Sequence, residues 1–320
     1  MESDRERLQA DAGRRAALLK QRAALLRSVR QYFDGEGFVE VDTPAMVPSP
    51  GLDLHLDAFE VEREGDAPRY LITSPEYQMK RLLSGGLERI YQVCKAFRRN
   101  ERGSHHEPEF TMLEWYRAHA GSREVMADTE QLVAHVARAA HQGRAVLRVE
   151  EREVDVTPPW PRMTVREAFS ELAGRDVDAL LDDEEQFFRV LVDDIEPRLG
   201  FDKPVFLVDY PASMASLARL KPDDPSVADR FEAYVAGIEL CNGFGELTDP
   251  VEQRARLERD QQARRGAGKD VYPVDERFLE ALEVGMPPSG GNALGVDRLV
   301  MLVLGLDNIQ DITAIPAAEL

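Results

Sequence analysis

The 320-residue chain carries 59 acidic against 40 basic side chains, a net charge of −19, with 43% apolar residues. That balance excludes a protein that relies on broad contact with a nucleic-acid backbone, which needs clustered Lys and Arg. The longest apolar run, Leu299 to Leu306, is far too short to cross a bilayer and no signal peptide is evident, so no membrane role is expected.

Residues 5–34 read as one helix, because Leu18/Leu19, Leu25/Leu26, Val29 and Tyr32/Phe33 recur at three- and four-residue steps before Gly35 and Gly37 stop it. Its stretch 12–33 holds Arg14, Arg15, Lys20, Arg22, Arg27 and Arg30 and no acid. That pattern suits a solvated helix face or a docking surface for an acidic macromolecule. The segment "GFVEVDTPAMVPSPG" is extended, since Pro44, Pro48 and Pro50 exclude a helix. Short strands are expected around Leu54–Val61 and Tyr70–Thr73, then a helix over Glu76–Leu83. Two strands, 89–98 and 109–117, flank a polar loop, and a helix follows from about Arg123 to Ala140.

"AVLRVEEREVDV" is strand-like, "TPPWPRMTVREAF" turns into a helix, and the acidic stretch 176–198 reads as more helix. "PVFLVDYP" is a buried strand, and "RFEAYVAGIEL" a strand ending at a turn on Asn242-Gly243. Helices at about 250–264 and 275–284, a glycine-rich strand and a final helix complete the chain. Hairpin-like links outnumber helical crossovers, which predicts an α+β fold with a largely antiparallel sheet, in a single domain without internal repeats. Cys94 and Cys241 are distant and form no metal-like pair; they suit small core positions in a reducing cytoplasm.

Candidate chemistry follows from strand parity. Phe110, Met112, Glu114 and Tyr116 share one face of their strand, placing a carboxylate and a phenol among apolar neighbours. That suits a buried cationic ligand or a structural pair with an arginine. Gln92, Cys94, Ala96 and Arg98 share a face of the preceding strand, and Arg98 at its end can clamp a phosphate or lie exposed. Glu239 and Glu246 converge only if the chain turns between them, for which "CNGFG" offers the turn; converging carboxylates fit Mg²⁺ with polyphosphate, unless they are unrelated surface acids. In "GGNALGVDRLVM" alternating small residues leave one strand face bare, and Arg298 follows at a helix start, where an anion is favoured. The segment is neither G-x-G-x-x-G nor a Walker pattern. His105 and His106 are too few for a zinc site and are assigned to loop contacts at most.

These pieces together resemble the catalytic core of the class II aminoacyl-tRNA synthetases, in their lysyl branch, from about residue 20 to residue 305. The first family motif is matched by "EGFVEVDTP" ending at Pro44, the second by "FRRNERGSHHEPEFTMLEWYR" and the third by "GNALGVDR"; "TSPEYQMKRLL" and "GIELCNGFGELTD" are similarly lysyl-type. Only about 35 residues precede the first motif, too few for an anticodon-binding barrel, and Ala293 stands where lysyl-tRNA synthetases have glycine. On both counts the chain is more similar to the shortened relatives that activate (R)-β-lysine with ATP and attach it to a lysine of translation elongation factor P.

The resemblance implies a homodimer, with the first motif at its interface, and makes tRNA an improbable substrate. It implies that Ser74, Pro75, Glu76, Glu114, Tyr116, Asn242, Glu246 and Ala293 line the amino-acid site. Arg98, Asn100, Glu101, Glu107, Glu239, Leu240, Gly295 and Arg298 would hold ATP, with Arg98, Glu239 and Arg298 in catalytic roles and Glu239 and Glu246 near Mg²⁺. The chain departs from the family at Asn100, where a glutamate is usual and Glu101 is displaced by one, and at Glu107, where an asparagine is usual. A truncated enzyme acting on lysine and tRNA, or a non-catalytic paralogue, are the alternative readings. The basic helix and the loop Arg99–His106 are the candidate docking surfaces for the acceptor protein.

Overall fold

The computed structural model describes residues 2–149, 152–181 and 183–320, with side chains from Ala12 onward within these ranges. Helix α1 (Glu2–Gly35) ends as expected where Gly37 adopts φ 74°. The extended segment beyond it contributes only two-residue strands, β1 (Val39–Glu40) and β2 (Met46–Val47), because its prolines lack ladder donors. Strands β3 (Glu60–Val61) and β4 (Arg69–Leu71) pair with each other, and β4 pairs with β2 to form a small sheet. The expected strand over Leu54–Val61 therefore shrinks to its last two residues. Residues 53–57 are instead irregular chain, fastened by the buried Arg264, which donates to the carbonyls of Asp53 and Leu56 and pairs with Asp57 at 2.8 Å.

Helix α2 (Glu76–Ser84) leads to the long pair β5 (Arg89–Phe97) and β6 (Glu109–Ala118), followed by α3 (Ser122–Ala140). The stretch 145–156 forms two strands, β7 (Val146–Val149) and β8 (Arg152–Asp155), paired antiparallel; residues 150 and 151 between them lie outside the described residues. Strand β9 (Arg162–Thr164) runs into α4 (Val165–Ala168). The acidic stretch 176–198 is not one helix: a 3₁₀ turn, α5 (Glu184–Val190), a π-type turn and a second 3₁₀ turn succeed one another. Strands β10 (Val205–Pro211), β11 (Val227–Val235) and β12 (Ile238–Gly245) follow, then α6 (Pro250–Gly266), α7 (Glu276–Gly285), β13 (Ser289–Gly295) and α8 (Val296–Leu304).

Eight strands form the main sheet in the order β1-β5-β6-β13-β12-β11-β10-β9, parallel only at its two outer pairs. The α+β reading with a largely antiparallel sheet is therefore correct. Strand alternation divides the faces: Leu113 and Trp115 of β6 enter the core with Phe33 of α1, Leu132 of α3 and Met301 of α8, whereas Tyr116 packs with Tyr77 of α2 and Phe278 of α7.

One turn differs from expectation. The β11–β12 hairpin bends at Ala236 and Gly237, with φ of 48° and 79°, and Asn242-Gly243 lies inside β12. The convergence of Glu239 and Glu246 thus cannot come from a turn. Ala233 pairs with Cys241 and Tyr234 with Glu239, leaving Leu240 as an extra residue. This bulge sends both Leu240 and Cys241 into the core and returns Glu239 to the face that carries Asn242 and Phe244.

Candidate active site

That face of the sheet floors a cleft of about 980 Å³, walled by residues 49–56, the start of α2, the 101–107 loop and part of α6. At one end, the sequence "SPEYQMK" builds a charged chamber. Ser74 Oγ accepts from the Glu76 amide at 3.1 Å and donates to Glu114 Oε2 at 2.6 Å. Tyr116 Oη donates to Glu114 Oε1 at 2.5 Å, so the phenol and carboxylate placed together by parity are bonded to each other. Lys80, one turn after Glu76, is fully buried, with Nζ 2.6 Å from Glu76 Oε1 and 2.5 Å from Glu246 Oε2. Glu114, Tyr116, Lys80 and Glu246 lie behind the cleft wall, which at this point presents Ser74, Glu76, Asn242 and Ala293.

Three carboxylates face one ammonium here, which leaves two negative charges when all are ionised. Buried charge without a partner is costly, so in the absence of a cation the acids take protons. Burial and the neighbouring Glu76 push Glu114 up to about 7, although Ser74 and Tyr116 oppose the shift. Burial pushes Glu246 up to about 8, against the pull of Lys80 and with further repulsion from Glu76. For Lys80 burial acts downward, but Glu246 and Glu76 outweigh it and keep the ammonium protonated. Among the described residues, no donor reaches the buried acceptors Glu246 Oε1 and Asn242 Oδ1. The chamber is thus arranged to receive a ligand carrying two positive N–H donor groups.

β13 makes room for this chamber. A Cβ on Gly291 would lie 2.3 Å from Tyr116 Cε1 and 2.4 Å from Glu246 Oε1. Glycine is therefore required by the protein's own side chains. Ala293, two residues on, pairs in register with Glu114 on one side and Asn242 on the other, on the cleft floor. At Gly295 the nearest atoms to an added Cβ would be those of the Arg298 side chain, at 3.5 Å or more, and this glycine lines the cleft.

The other end of the cleft is cationic. Arg98, just past β5, donates from Nε to Thr73 O at 3.4 Å, lies 3.5 Å from Glu101 and sits 5.1 Å from the Phe110 ring centroid. Arg298, in the first turn of α8, donates from Nη1 to Glu239 O at 2.8 Å and to Glu239 Oε2 at 3.1 Å. Its Nε donates to His105 O at 3.3 Å and its Nη2 lies 2.6 Å from His106 Nε2. An arginine can only donate, so His106 Nε2 accepts and the imidazole is neutral. Burial and the Arg298 charge accordingly hold His106 below its ordinary value. For Glu239 burial acts upward, but Arg298 and then Arg98 outweigh it and hold the carboxyl ionised.

The structure brings most of the expected site residues to this cleft, but Glu114, Tyr116 and Glu246 stand buried behind its wall and others depart further. Pro75 is buried at the start of α2, where its carbonyl accepts from the amides of Gln78 and Met79, and it does not line the cleft. Leu240 borders the cleft, but its side chain belongs to the core. Asn100 is exposed at φ 77° and is not among the residues lining the cleft. Glu107 lines the wall, but its carboxylate accepts from Gln310 Nε2 at 2.9 Å and the Ala317 amide at 3.2 Å, tying down the C-terminal segment. Glu239 and Glu246 share a face yet meet different cations, Arg298 and Lys80.

Sequence reasoning missed Lys80 and underrated His105 and His106. The Glu76–Lys80 spacing was visible, but it is also that of a surface helix pair. On the expected docking helix α1, Arg14, Arg15, Arg22 and Arg30 are paired with Asp311, Glu319, Asp297 and Glu40, whereas Lys20 and Arg27 are exposed. In the loop, Arg99 is paired with Asp270.

Three curated proteins, each called "Elongation factor P--(R)-beta-lysine ligase", are similar to the chain. That of Erwinia tasmaniensis is 42% identical over 93% of this chain and 94% of the relative. That of Vibrio atlanticus is 41% identical over 93% and 95%, and that of Proteus mirabilis 42% identical over 94% and 95%. Residues 4–319 match the profile of the tRNA synthetases class II (D, K and N). The chain belongs to the class II tRNA synthetase family of the D, K and N type.

Proposed function

We propose that the chain is an ATP-dependent ligase that activates (R)-β-lysine as its adenylate and transfers it to a lysine side chain of translation elongation factor P. The observation that carries this reading is the buried chamber of Glu76, Glu114 and Glu246 around Lys80, whose two unbalanced negative charges match a substrate with two ammonium groups. The names of the relatives, similar along nearly their whole length, select β-lysine and elongation factor P within that class.

On this reading the substrate's ammonium groups enter where Ser74, Glu76 and Asn242 line the cleft, in front of the buried Glu114, Tyr116 and Glu246, with Ala293 at the floor. The substrate carboxylate then points along the floor toward Arg98. One carboxylate oxygen attacks the α-phosphorus of ATP, the bond to the bridging oxygen of the β-phosphate breaks, and pyrophosphate leaves. Arg98 offsets charge gathering on the α-phosphate, and Arg298 leaves His106 and Glu239 to hold the far phosphate. In the second step the unprotonated amine of the acceptor lysine attacks the acyl carbon. The bond from acyl carbon to phosphate oxygen breaks, AMP departs, and the proton passes to solvent. No covalent enzyme intermediate is required.

A magnesium ion fits part of the residue set. Glu239 is ionised, faces the cleft and has one carboxylate oxygen not engaged by Arg298, which suits a hard cation shared with phosphate oxygens. Glu246 is enclosed with Lys80 and fits an ammonium better than a metal. Among the described residues no group of three His, Cys, Asp or Glu stands ready to hold a metal alone. Magnesium would therefore arrive with the nucleotide and lower the charge barrier at its phosphates.

We further propose one catalytic domain spanning the chain and a homodimer. ATP–pyrophosphate exchange over a panel of acids tests the reading: exchange with β-lysine and lysine, and none with aspartate or 6-aminohexanoate, is expected. Exchange as fast with the singly aminated acid would remove the two-charge basis of the proposal.

A further inference from the structure

Arg22 departs from the other arginines of α1. It turns inward, and its Nη2 lies 2.8 Å from Asp297 Oδ1 and 2.7 Å from Thr111 Oγ1. The second carboxylate oxygen of Asp297 accepts from the Thr111 amide at 2.7 Å. Three segments far apart in sequence, α1, β6 and α8, thus close on one carboxylate.

The register explains why the carboxylate is there. β13 and β6 pair as far as Gly295 with Met112, and one residue further β13 has become α8. Thr111 stays in register with Lys95 of β5, but on its other edge β13 has ended, and there Asp297 in the first turn of α8 supplies the acceptor for its amide. Asp297 is 8% exposed, so its charge needs a cation close by. Arg22 is that cation. Without it, a desolvated carboxylate would stand unbalanced at the junction of β6 and α8.

What hangs on this junction is one end of the cleft and not the other. Arg298 is the residue after Asp297, Gly295 is two residues before it, and Phe110, beside Thr111, lies against the Arg98 guanidinium. The charged chamber is anchored separately, through Ser74, Tyr116 and Lys80. Arg22 touches none of those groups.

We propose that Arg22 is a positioning residue for the nucleotide end of the site, acting through Asp297 and Thr111 to fix Arg298 and the start of β6. The inference rests on the reading above that Arg98 and Arg298 bind ATP. A helix remote in sequence from the cleft then governs nucleotide affinity, while the amino-acid chamber is independent of it.

The test measures ATP–Mg affinity by calorimetry and the two KM values in ATP–pyrophosphate exchange, for wild type, Arg22→Met, Arg22→Lys and Thr111→Val. In Arg22→Met, ATP affinity should fall roughly ten- to hundredfold, the scale of a small misplacement at a phosphate site, with the KM for β-lysine within about twofold of wild type. Arg22→Lys, which keeps the charge, should recover part of the loss, and Thr111→Val should lose less than Arg22→Met. A lower melting temperature with ATP affinity unchanged in both Arg22 variants would overturn the proposal, as would equal rises in both KM values. If Arg22→Met does not fold, Arg22→Lys and Thr111→Val decide by the same split. Absence of ATP binding by the wild type would instead refute the nucleotide reading itself.

Discussion

Lys80→Met isolates the charge of the chamber, because methionine keeps an unbranched apolar stem and removes only the ammonium. Lys80 is fully buried and bridges Glu76 and Glu246 at 2.6 and 2.5 Å. Removing one member of such a buried pair costs about 3–5 kcal/mol when the remaining charges persist. Protons relieve that cost, so the destabilisation should be small at about pH 6 and large at about pH 8.5. At about 2 °C per kcal/mol for a long chain, the melting temperature at the higher pH should drop by roughly 6–10 °C. Glu76 and Glu246 also lose the group that fixes their orientation, and one misplaced charge-assisted hydrogen bond, about 1.5–3 kcal/mol, is roughly a ten- to hundredfold rise in the KM for β-lysine. Thermal melts at the two pH values and exchange kinetics at saturating ATP read both effects. A melting temperature within about 1 °C of wild type at both pH values, with KM unchanged, would refute the counter-ion role.

Gly291→Ala places a methyl 2.3 Å from Tyr116 and 2.4 Å from Glu246, so overpacking of about 1–3 kcal/mol and impaired β-lysine use are expected; full activity would show that the chamber yields freely. Ala293→Gly should raise use of α-lysine relative to β-lysine by at most about 1–3 kcal/mol in kcat/KM, and an unchanged ratio would remove Ala293 from the specificity account. The pH dependence follows from Glu114 at about 7 and Glu246 at about 8. Both stand above their unfolded values, so they bind extra protons in the ligand-free fold, whose stability from this source declines as pH rises toward 8. The same protons must leave when two ammonium groups enter. Stabilisation by β-lysine should therefore grow from about pH 6 to about pH 8.5 in thermal-shift measurements, and a pH-independent shift would contradict it.

The sequence disclosed those parts of the molecule whose signals are local. Parity in "EFTMLEWYR" put Glu114 and Tyr116 on one face, where they are bonded to each other. The glycine alternation in "GGNALG" marked the cleft floor, although the reason differs between positions: Gly291 admits Tyr116 and Glu246, whereas Gly295 lines the cleft. Glu239 and Glu246 were matched through the wrong device, since an Asn-Gly pair inside a strand mimics a turn and the bulge at Leu240 has no sequence signature of its own. Lys80 and Arg22 escaped because a buried cation on an amphipathic helix has the same spacing as a surface one. Only the tertiary partners, Glu246 and Asp297, distinguish them. The acidic stretch 176–198 has helical composition, but its turns are set by packing at the β10 end of the sheet.

The central claim is transfer of an activated diamino acid to a protein. It is tested most directly by intact-mass analysis of purified elongation factor P after incubation with this protein, ATP, magnesium and (R)-β-lysine. The account predicts a gain of one β-lysyl residue on a single lysine of the acceptor, dependent on ATP and lost in Arg298→Ala. An unmodified acceptor alongside aminoacylated tRNA in a parallel reaction would contradict it.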